Sequence, residues 1–185
     1  MIEENSNIKN YAMFNDDKSH RYILSRIWNE KKPIPLFISK ISGEADGIYL
    51  ELTNNLITNN LYKSGYGGYY SANLCSGIHG KAKNDIDSET DKILMEYAKK
   101  SSEIIISWGT LTTNNLKERE IEVLKLIKSA KKKVLAVSDK KGRTNLHLLT
   151  PSIRKEIFLI EVNINDLLQK NTNLLKNANN KEDLK

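Results

Sequence analysis

The order of its apolar segments constrains what this chain can fold into more than any other feature of the sequence. Short apolar runs typical of buried strands occur at residues 36–38, 69–74, 104–107 and 134–138, and segments of helical spacing separate them. Strands and helices that alternate in this way favour a parallel sheet with helices on both faces. With a fifth apolar run at residues 157–160, we predict an α/β three-layer sandwich whose mostly parallel central sheet has four or five strands.

The beginning of the chain has the pattern of a β-hairpin. Residues 11–14 and 21–28 are rich in apolar and aromatic side chains, and the polar run 15–18 separates them. Both termini are polar and poor in core-forming residues. We therefore predict a frayed N-terminus at residues 1–10, a single α/β domain at 11–170 and a polar C-terminal tail at 171–185.

The first helix of the sheet domain is predicted from apolar residues that recur at helical spacing. These residues are Ile48, Leu52, Leu56, Ile57 and Leu61. The loop before this helix, residues 39–47, contains two glycines and two acidic residues.

Length and composition set further limits. A chain of 185 residues suits one domain, and we expect a monomer. No apolar run approaches the ~18 residues of a membrane span, the start lacks a signal-peptide pattern, and the single Cys75 fits a reducing cytoplasm. One cysteine and three scattered histidines show no metal-ligand spacing, so we expect no metal and no cofactor.

The net charge of +6 is compatible with a polyanionic partner, and equally with an ordinary solvated surface.

Polar residues end several of the predicted strands. In open α/β sheets, ligands bind beyond the carboxyl ends of the strands. The amide of Asn73 could donate and accept there and so read the polar edge of a nucleobase, or it could bridge buried backbone. Ser39 ends the first core strand. Trp108 follows the third, where it could stack on a base or pack in the core.

The order and spacing of several short motifs resemble those of a bacterial and phage family, domain of unknown function 1643. The motifs are His20-Arg21-Tyr22-x-Leu24-x-Arg26-x-Trp28, Gly65-Tyr66-Gly67-Gly68 leading to Asn73-Leu74, Asp85-x-Asp87, Trp108-Gly109, and a strand and loop around Gly142. The resemblance covers most of residues 11–162.

This chain departs from the family pattern in two places. The family usually has Asn-Pro-Ser where this chain has Ile41-Ser42-Gly43, and a His-Pro pair near Asn145, where this chain has His147 slightly later. Both departures fall in the predicted site, so this member is expected to act on a different substrate.

The layout is also similar to that of the uracil-DNA glycosylase superfamily. Those enzymes have a water-positioning loop after one strand, a base-reading Asn at the end of the next, a strand that ends in Trp-Gly or similar, and a late His-bearing loop. The corresponding segments here are 37–47, 69–73, 104–109 and 134–151. The resemblance implies a glycosylase that hydrolyses the N-glycosidic bond of a flipped-out base and leaves an abasic site.

Under this resemblance, the acids of the first loop would position the attacking water. The two acids there are Glu44 and Asp46, although Asp46 could equally be the N-cap of the next helix. Asn73, Trp108 and Ser39 would contact the base, and His147 would donate to the leaving base or to a flanking phosphate.

Basic residues in two loops are candidates for DNA contact. They are Lys140, Lys141 and Arg143 in one loop, and His79, Lys81 and Lys83 in the loop after Asn73. Small residues keep the loop 39–47 roomy, which favours a modified base, for example one from phage DNA. Two other readings stay open: a non-catalytic nucleic-acid-binding module, and an α/β hydrolase that processes free nucleotides.

Overall fold

A seven-stranded mixed sheet forms the centre of the molecule. The computed structural model describes residues 1–79, 81, 82 and 84–182. The strands are β1 (Lys9–Phe14), β2 (Arg21–Ile27), β3 (Leu36–Ser42), β4 (Gly68–Ile78), β5 (Ile104–Ile106), β6 (Val134–Ser138) and β7 (Phe158–Glu161). Their spatial order is β1-β2-β4-β3-β5-β6-β7.

Four helices connect or follow the strands. They are α1 (Leu52–Lys63), α2 (Thr90–Lys100), α3 (Asn114–Ser129) and α4 (Ile164–Glu182), with a short 3₁₀ turn at Pro151–Ile153. Each helix from α1 to α3 joins two neighbouring or near-neighbouring parallel strands, which is the crossover that parallel pairing requires.

The sheet separates two hydrophobic cores. On one face, α1 packs through Ile57 and Leu61 against Phe37 and Tyr69 of the sheet. On the other face, residues of α2 and α3 pack around Leu36, Ile38 and Leu74. The α/β class predicted from the alternation of strands and helices is confirmed.

The sheet has more strands than the four or five predicted. The hairpin β1–β2 pairs with the free edge of β4 in the antiparallel direction, and β7 pairs antiparallel with β6. Only the four central strands, β4, β3, β5 and β6, run parallel. The extra strands cover both edges of the parallel part, where unpaired N–H and C=O groups would otherwise remain.

The helix α1 begins four residues later than its apolar spacing predicted. Ile48 lies in the preceding loop with 93% of its surface exposed, and Leu52 is 58% exposed. The buried positions at this side of the sheet include Asn54 and Asn60 instead. The prediction that Ile48 and Leu52 belong to a buried helical face was therefore wrong.

The C-terminal part of the chain is a long helix. α4 runs through Asn171, where the sequence predicted the beginning of a polar tail, and residues 183–185 lie outside the described part. Within the described residues, no helix has the length and apolar character that crossing a bilayer requires.

Candidate functional site

The site lies along β3 and β4. β4 continues to Ile78, so Asn73 lies in the middle of this strand, whereas the sequence predicted it at the end of the strand. Ser39 is paired with Asn73 in the parallel register of these strands. A shift in register between Ile41 and Ser42 then turns the end of β3, so that Ser42 faces Asn73. This places the polar side chains of Ser42 at the end of β3 and Asn73 in the middle of β4 next to each other.

A cavity of about 410 Å³ opens beside these two residues. It lies on the face that α1 covers, and nine of its thirteen lining residues have polar side chains. The residues that line it are Arg21, Ser39, Ile41, Ser42, Gly43, Glu51, Leu52, Thr53, Asn54, Ser71, Asn73, His147 and Leu149.

The amide of Asn73 is held by the end of β3. Its Nδ2 donates to the carbonyl of Ile41 (2.9 Å), and its Oδ1 accepts from Ser42 Oγ (3.0 Å). Asn73 therefore bonds to buried backbone, which is one of the two roles predicted for it. The same residue lines the cavity, and each of its amide atoms can make one more hydrogen bond.

Arg21 brings a buried positive charge to the cavity. Only 3% of its surface is exposed, and its Nη1 donates to the carbonyl of Ala45 (2.8 Å). It forms no ion pair with a side chain that the structure describes. Burial lowers the pKa of Arg21, against the opposing effect of Glu51, yet the guanidinium stays protonated at neutral pH. A buried cation of this kind favours an anionic or electron-rich ligand.

Glu51 is the one carboxylate in the cavity lining. It precedes α1 without capping it, and its Oε1 accepts from the backbone N–H of Glu44 (2.9 Å). The carboxylate occupies the space beside Gly43 that a Cβ atom would fill. The glycine therefore allows Glu51 to fold back over the loop 39–47.

Asn54 has a hydrogen-bond acceptor without a partner in the described structure. The residue is 3% exposed, and its Oδ1 is buried and unbonded. Its backbone carbonyl is satisfied by Thr58 Oγ1 (2.8 Å) and Tyr69 Oη (3.3 Å). A buried acceptor left unpaired costs about 1 to 3 kcal/mol, so turning the Asn54 amide toward a donor in the cavity would be favourable.

His147 enters the cavity from the loop after β6. Its Nδ1 accepts a hydrogen bond from the backbone N–H of Leu149 (3.2 Å), so the neutral ring carries its proton on Nε2. Burial, together with the positive charge of Lys40, holds the pKa of His147 below its ordinary value of 6.5. At neutral pH the imidazole is therefore an uncharged hydrogen-bond donor.

The two acids expected to position the water lie outside the cavity lining. Asp46 is exposed, and its Oδ1 accepts from the backbone N–H groups of Ile48 and Tyr49 (2.7 Å each). These bonds lower the pKa of Asp46 and fix a turn in the loop. Glu44 forms an exposed ion pair with Lys81 (3.1 Å).

The two remaining residues predicted to contact a base differ in position. Ser39 lines the cavity. Trp108 is fully buried in the core on the opposite face of the sheet, and its Nε1 donates to Glu120 Oε1 (2.7 Å). Trp108 therefore packs and supports α3 rather than the cavity.

The predicted DNA-contacting residues occupy exposed loops, and several have acidic partners. Arg143 pairs with Asp139 (2.6 Å) and Lys140 with Glu156 (3.7 Å). His79 and Lys141 are exposed. Lys83 lies outside the described residues.

Three residues of the cavity were not identified from the sequence as parts of a site. Arg21 lies on the hairpin, Glu51 follows the loop 39–47 that was predicted to hold the catalytic acids, and Asn54 lies in α1, so none of the three belongs to a segment predicted to form the site. One signal was available: Glu51 is a poor N-cap, so its position at the helix start called for another explanation.

Among the described residues, no cluster of three or more His, Cys, Asp or Glu side chains could hold a metal ion.

A family model with the description "Protein of unknown function (DUF1643)" matches residues 21–149. Comparison with curated proteins and with solved structures gave no match. All residues that line the cavity lie within the matched segment, from Arg21 in β2 to Leu149 after β6. Because the match spans well over half of the chain, the chain belongs to the DUF1643 family.

Proposed function

We propose that this protein is a DNA glycosylase, which hydrolyses the N-glycosidic bond of a flipped-out base and leaves an abasic site. The observation that carries the proposal is the content of the cavity: a carboxylate, a guanidinium and a neutral imidazole, supplied by Glu51, Arg21 and His147. Hydrolysis of a glycosidic bond uses these groups, because positive charge develops on the sugar and negative charge on the departing base.

The topology supports the same proposal. The four segments that correspond to the uracil-DNA glycosylase layout belong to β3, β4, β5 and β6, which are the four parallel strands of the sheet. Parallel strands bring the loops after their carboxyl ends to one edge. Asn73 and His147, two residues named from that layout, line one cavity there.

In the proposed reaction, water attacks C1′ of the sugar while the bond from C1′ to the base nitrogen breaks. The carboxylate of Glu51 orients this water and takes its proton, and it also stabilises the oxocarbenium-like transition state. The electron pair of the broken bond leaves with the base. Arg21 and the Nε2–H of His147 stabilise the negative charge on that base, which then takes a proton from solvent.

Base recognition falls to the two amides of the cavity. The amide of Asn54 turns toward the cavity, and its Oδ1, which is buried and unpaired, then accepts from a ring N–H or an exocyclic amino group of the base. Asn73 adds a contact while it stays anchored to β3. The cavity of about 410 Å³ with a polar lining favours a modified base, such as those in phage DNA, over plain uracil.

The test is an abasic-site assay on DNAs that carry normal, deaminated and hypermodified bases. We expect alkali-labile strand breaks on one type of DNA in the presence of EDTA, and at least a 100-fold lower rate for Glu51→Gln. Glu44→Gln and Asp46→Asn are matched controls, because both acids belong to the same loop but lie outside the cavity lining.

Two results would contradict the proposal. If no DNA yields abasic sites while the protein binds DNA in a salt-dependent manner, the protein is a binding module instead. If Glu51→Gln keeps full activity and Asp46→Asn loses it, a glycosylase remains but its water is positioned from outside this cavity.

A further inference from the structure

A second cavity, of about 260 Å³, lies next to the first. It is enclosed by the segments that follow β5 and β6 and by the helices α3 and α4, which supply Gly109, residues 144–147, Glu120 and Asn171 among others. His147 lines both cavities, so the two meet at this residue. A ligand in the first cavity can therefore extend past His147 into the second.

The position of His147 between the two cavities is fixed by hydrogen bonds of its chain neighbours. Ser107 Oγ donates to the carbonyl of Leu146 (2.7 Å), and the backbone N–H of Trp108 donates to Asn145 Oδ1 (3.1 Å). Both bonds attach the loop after β6 to the segment that follows β5. The wall between the cavities is thus already ordered, which lowers the entropic cost of binding a ligand against it.

Glu120 brings a carboxylate to the second cavity. Its Oε1 accepts from Trp108 Nε1 (2.7 Å), and the amide of Asn171 also bonds to this carboxylate. Burial raises the pKa of Glu120, against the opposing effects of these two bonds and of the nearby charge of Lys170. A carboxylate offers about four acceptor sites, so Glu120 can still accept a hydrogen bond from a ligand.

The lining of the second cavity is polar and close to neutral in sum. Eight of its eleven lining residues have polar side chains, among them Thr110, Thr144 and Thr150. The charges of Glu120 and Lys170 compensate each other, which favours a neutral ligand. None of the lining residues is Phe, Tyr or Trp, the side chains on which a base would stack. Hydroxyl and amide groups instead both donate and accept, as a ligand with several hydroxyl groups requires.

We propose that the second cavity binds a hydroxyl-rich group, such as a hexosyl group, carried by the base that occupies the first cavity. The proposal rests on the proposed function for that base. Glu120 accepts from one hydroxyl of the group, while the amide of Asn171 and the hydroxyl of Thr150 contact others. The volume of about 260 Å³ is just below the ~300 Å³ at which pockets for larger ligands begin, which suits a single group of this kind.

The test compares binding to two DNA duplexes of one sequence that differ at one base. In the first duplex this base carries a hydroxymethyl group, and in the second a glucosyl group is attached to the oxygen of that hydroxymethyl group. The wild-type protein is expected to bind the glucosylated duplex about tenfold more tightly, because several hydroxyl groups gain partners. Thr150→Val and Asn171→Leu should remove this preference and leave affinity for the hydroxymethyl duplex unchanged.

Two controls match these variants. Thr150→Ser keeps the hydroxyl and should keep the preference. Asn173→Leu makes the same change on α4 at an exposed position outside the lining of either cavity, and it should behave as wild type. The side chain of Thr150 does not cap the 3₁₀ turn that follows it, so Thr150→Val tests the proposal even if Asn171→Leu disturbs α4.

The outcomes separate this proposal from the proposed function. Equal wild-type affinity for the two duplexes would overturn it, even if the protein excises the base from one of them. A preference that both variants keep would also overturn it, because the glucosyl group would then be held elsewhere. A preference that the variants lose, without abasic sites in either duplex, would support the second cavity as the binding site and remove the glycosylase. If methyl glucoside binds as tightly as the glucosylated duplex and the variants lose it, the cavity holds free sugars and the link to a base is overturned.

Discussion

At the scale of single residues, Gly43 determines where the carboxylate of Glu51 can be. A Cβ atom at this position would collide with the carboxylate of Glu51. The atoms that collide are the end of a flexible side chain and not backbone, so the side chain can swing away at small cost to the fold.

We therefore predict that Gly43→Ala separates activity from stability. The abasic-site rate should fall at least tenfold because Glu51 is displaced, whereas the free energy of unfolding should change by less than about 1 kcal/mol. Urea denaturation measures the second quantity. Gly47→Ala is the matched control, since a Cβ there meets no atom within 4 Å. Equal rates for both variants would mean that the position of Glu51 does not limit the reaction.

Only some of the residues that line the cavity could be predicted from the sequence. Asn73 could be named because it is a polar residue in a buried strand, and His147 because it lies in the loop after β6; the fold brings both to one cavity. Glu51 and Asn54 could not be named, because their positions depend on where α1 begins. α1 begins only after a local turn, in which Asp46 accepts from the backbone N–H groups of Ile48 and Tyr49, whereas the spacing of Ile48 and Leu52 predicts that the helix already includes Ile48.

At the scale of elements, α3 packs on the sheet through apolar residues and is also bonded to it by the side chain of Arg119. Arg119 is 6% exposed, its Nε donates to the carbonyl of Leu74 in β4 (2.8 Å), and its guanidinium pairs with Asp91 in α2. Burial opposes the charge of Arg119, but the contacts with Asp91 and Glu122 prevail and raise its pKa. The side chain of Arg119 thus connects α3 to α2 and to β4.

We predict that Arg119→Met destabilises the protein by about 2 kcal/mol, because the buried carbonyl of Leu74 loses its donor. Asp91 contributes less to this loss, since its side chain is 46% exposed and can be solvated. Urea denaturation of Lys125→Met, an exposed position on the same helix, provides the comparison and should stay within about 0.5 kcal/mol of wild type. Similar values for both variants would show that Arg119 has no special role.

Strand positions were predictable, but their directions and partners were not. The apolar run at 157–160 is a strand, as predicted, yet its antiparallel pairing with β6 follows from the 3₁₀ turn at Pro151–Ile153 and the chain path after it. The hairpin was recognised from its turn, but its addition to β4 depends on the edge that β4 leaves open. The pattern of neighbouring residues in the sequence predicts neither the direction of β7 nor the strand with which the hairpin pairs.

At the scale of the whole molecule, charge is distributed on two edges of the sheet. Lys141 lies in the loop after β6, on the carboxyl edge where the cavity opens, and Lys128 lies at the end of α3, on the opposite edge. Only the first edge faces DNA in the proposed complex.

We predict that DNA binding weakens by about 100-fold between 50 and 200 mM salt, as about four phosphate contacts would give. Lys141→Gln should make the dependence of log affinity on log salt less steep by about one unit, and Lys128→Gln should leave it unchanged. Fluorescence anisotropy across a salt series measures both slopes. If both variants change it equally, the protein attracts DNA through its net charge alone and has no defined binding face.

The cavity draws its lining from both ends of the matched segment, from Arg21 to Leu149. During translation, the first strands and α1 leave the ribosome long before the loop that carries His147. A nascent chain can pair its early strands but has no complete cavity until that loop has emerged and docked. The unfinished chain therefore lacks a complete cavity, because synthesis of the site ends almost where synthesis of the sheet ends.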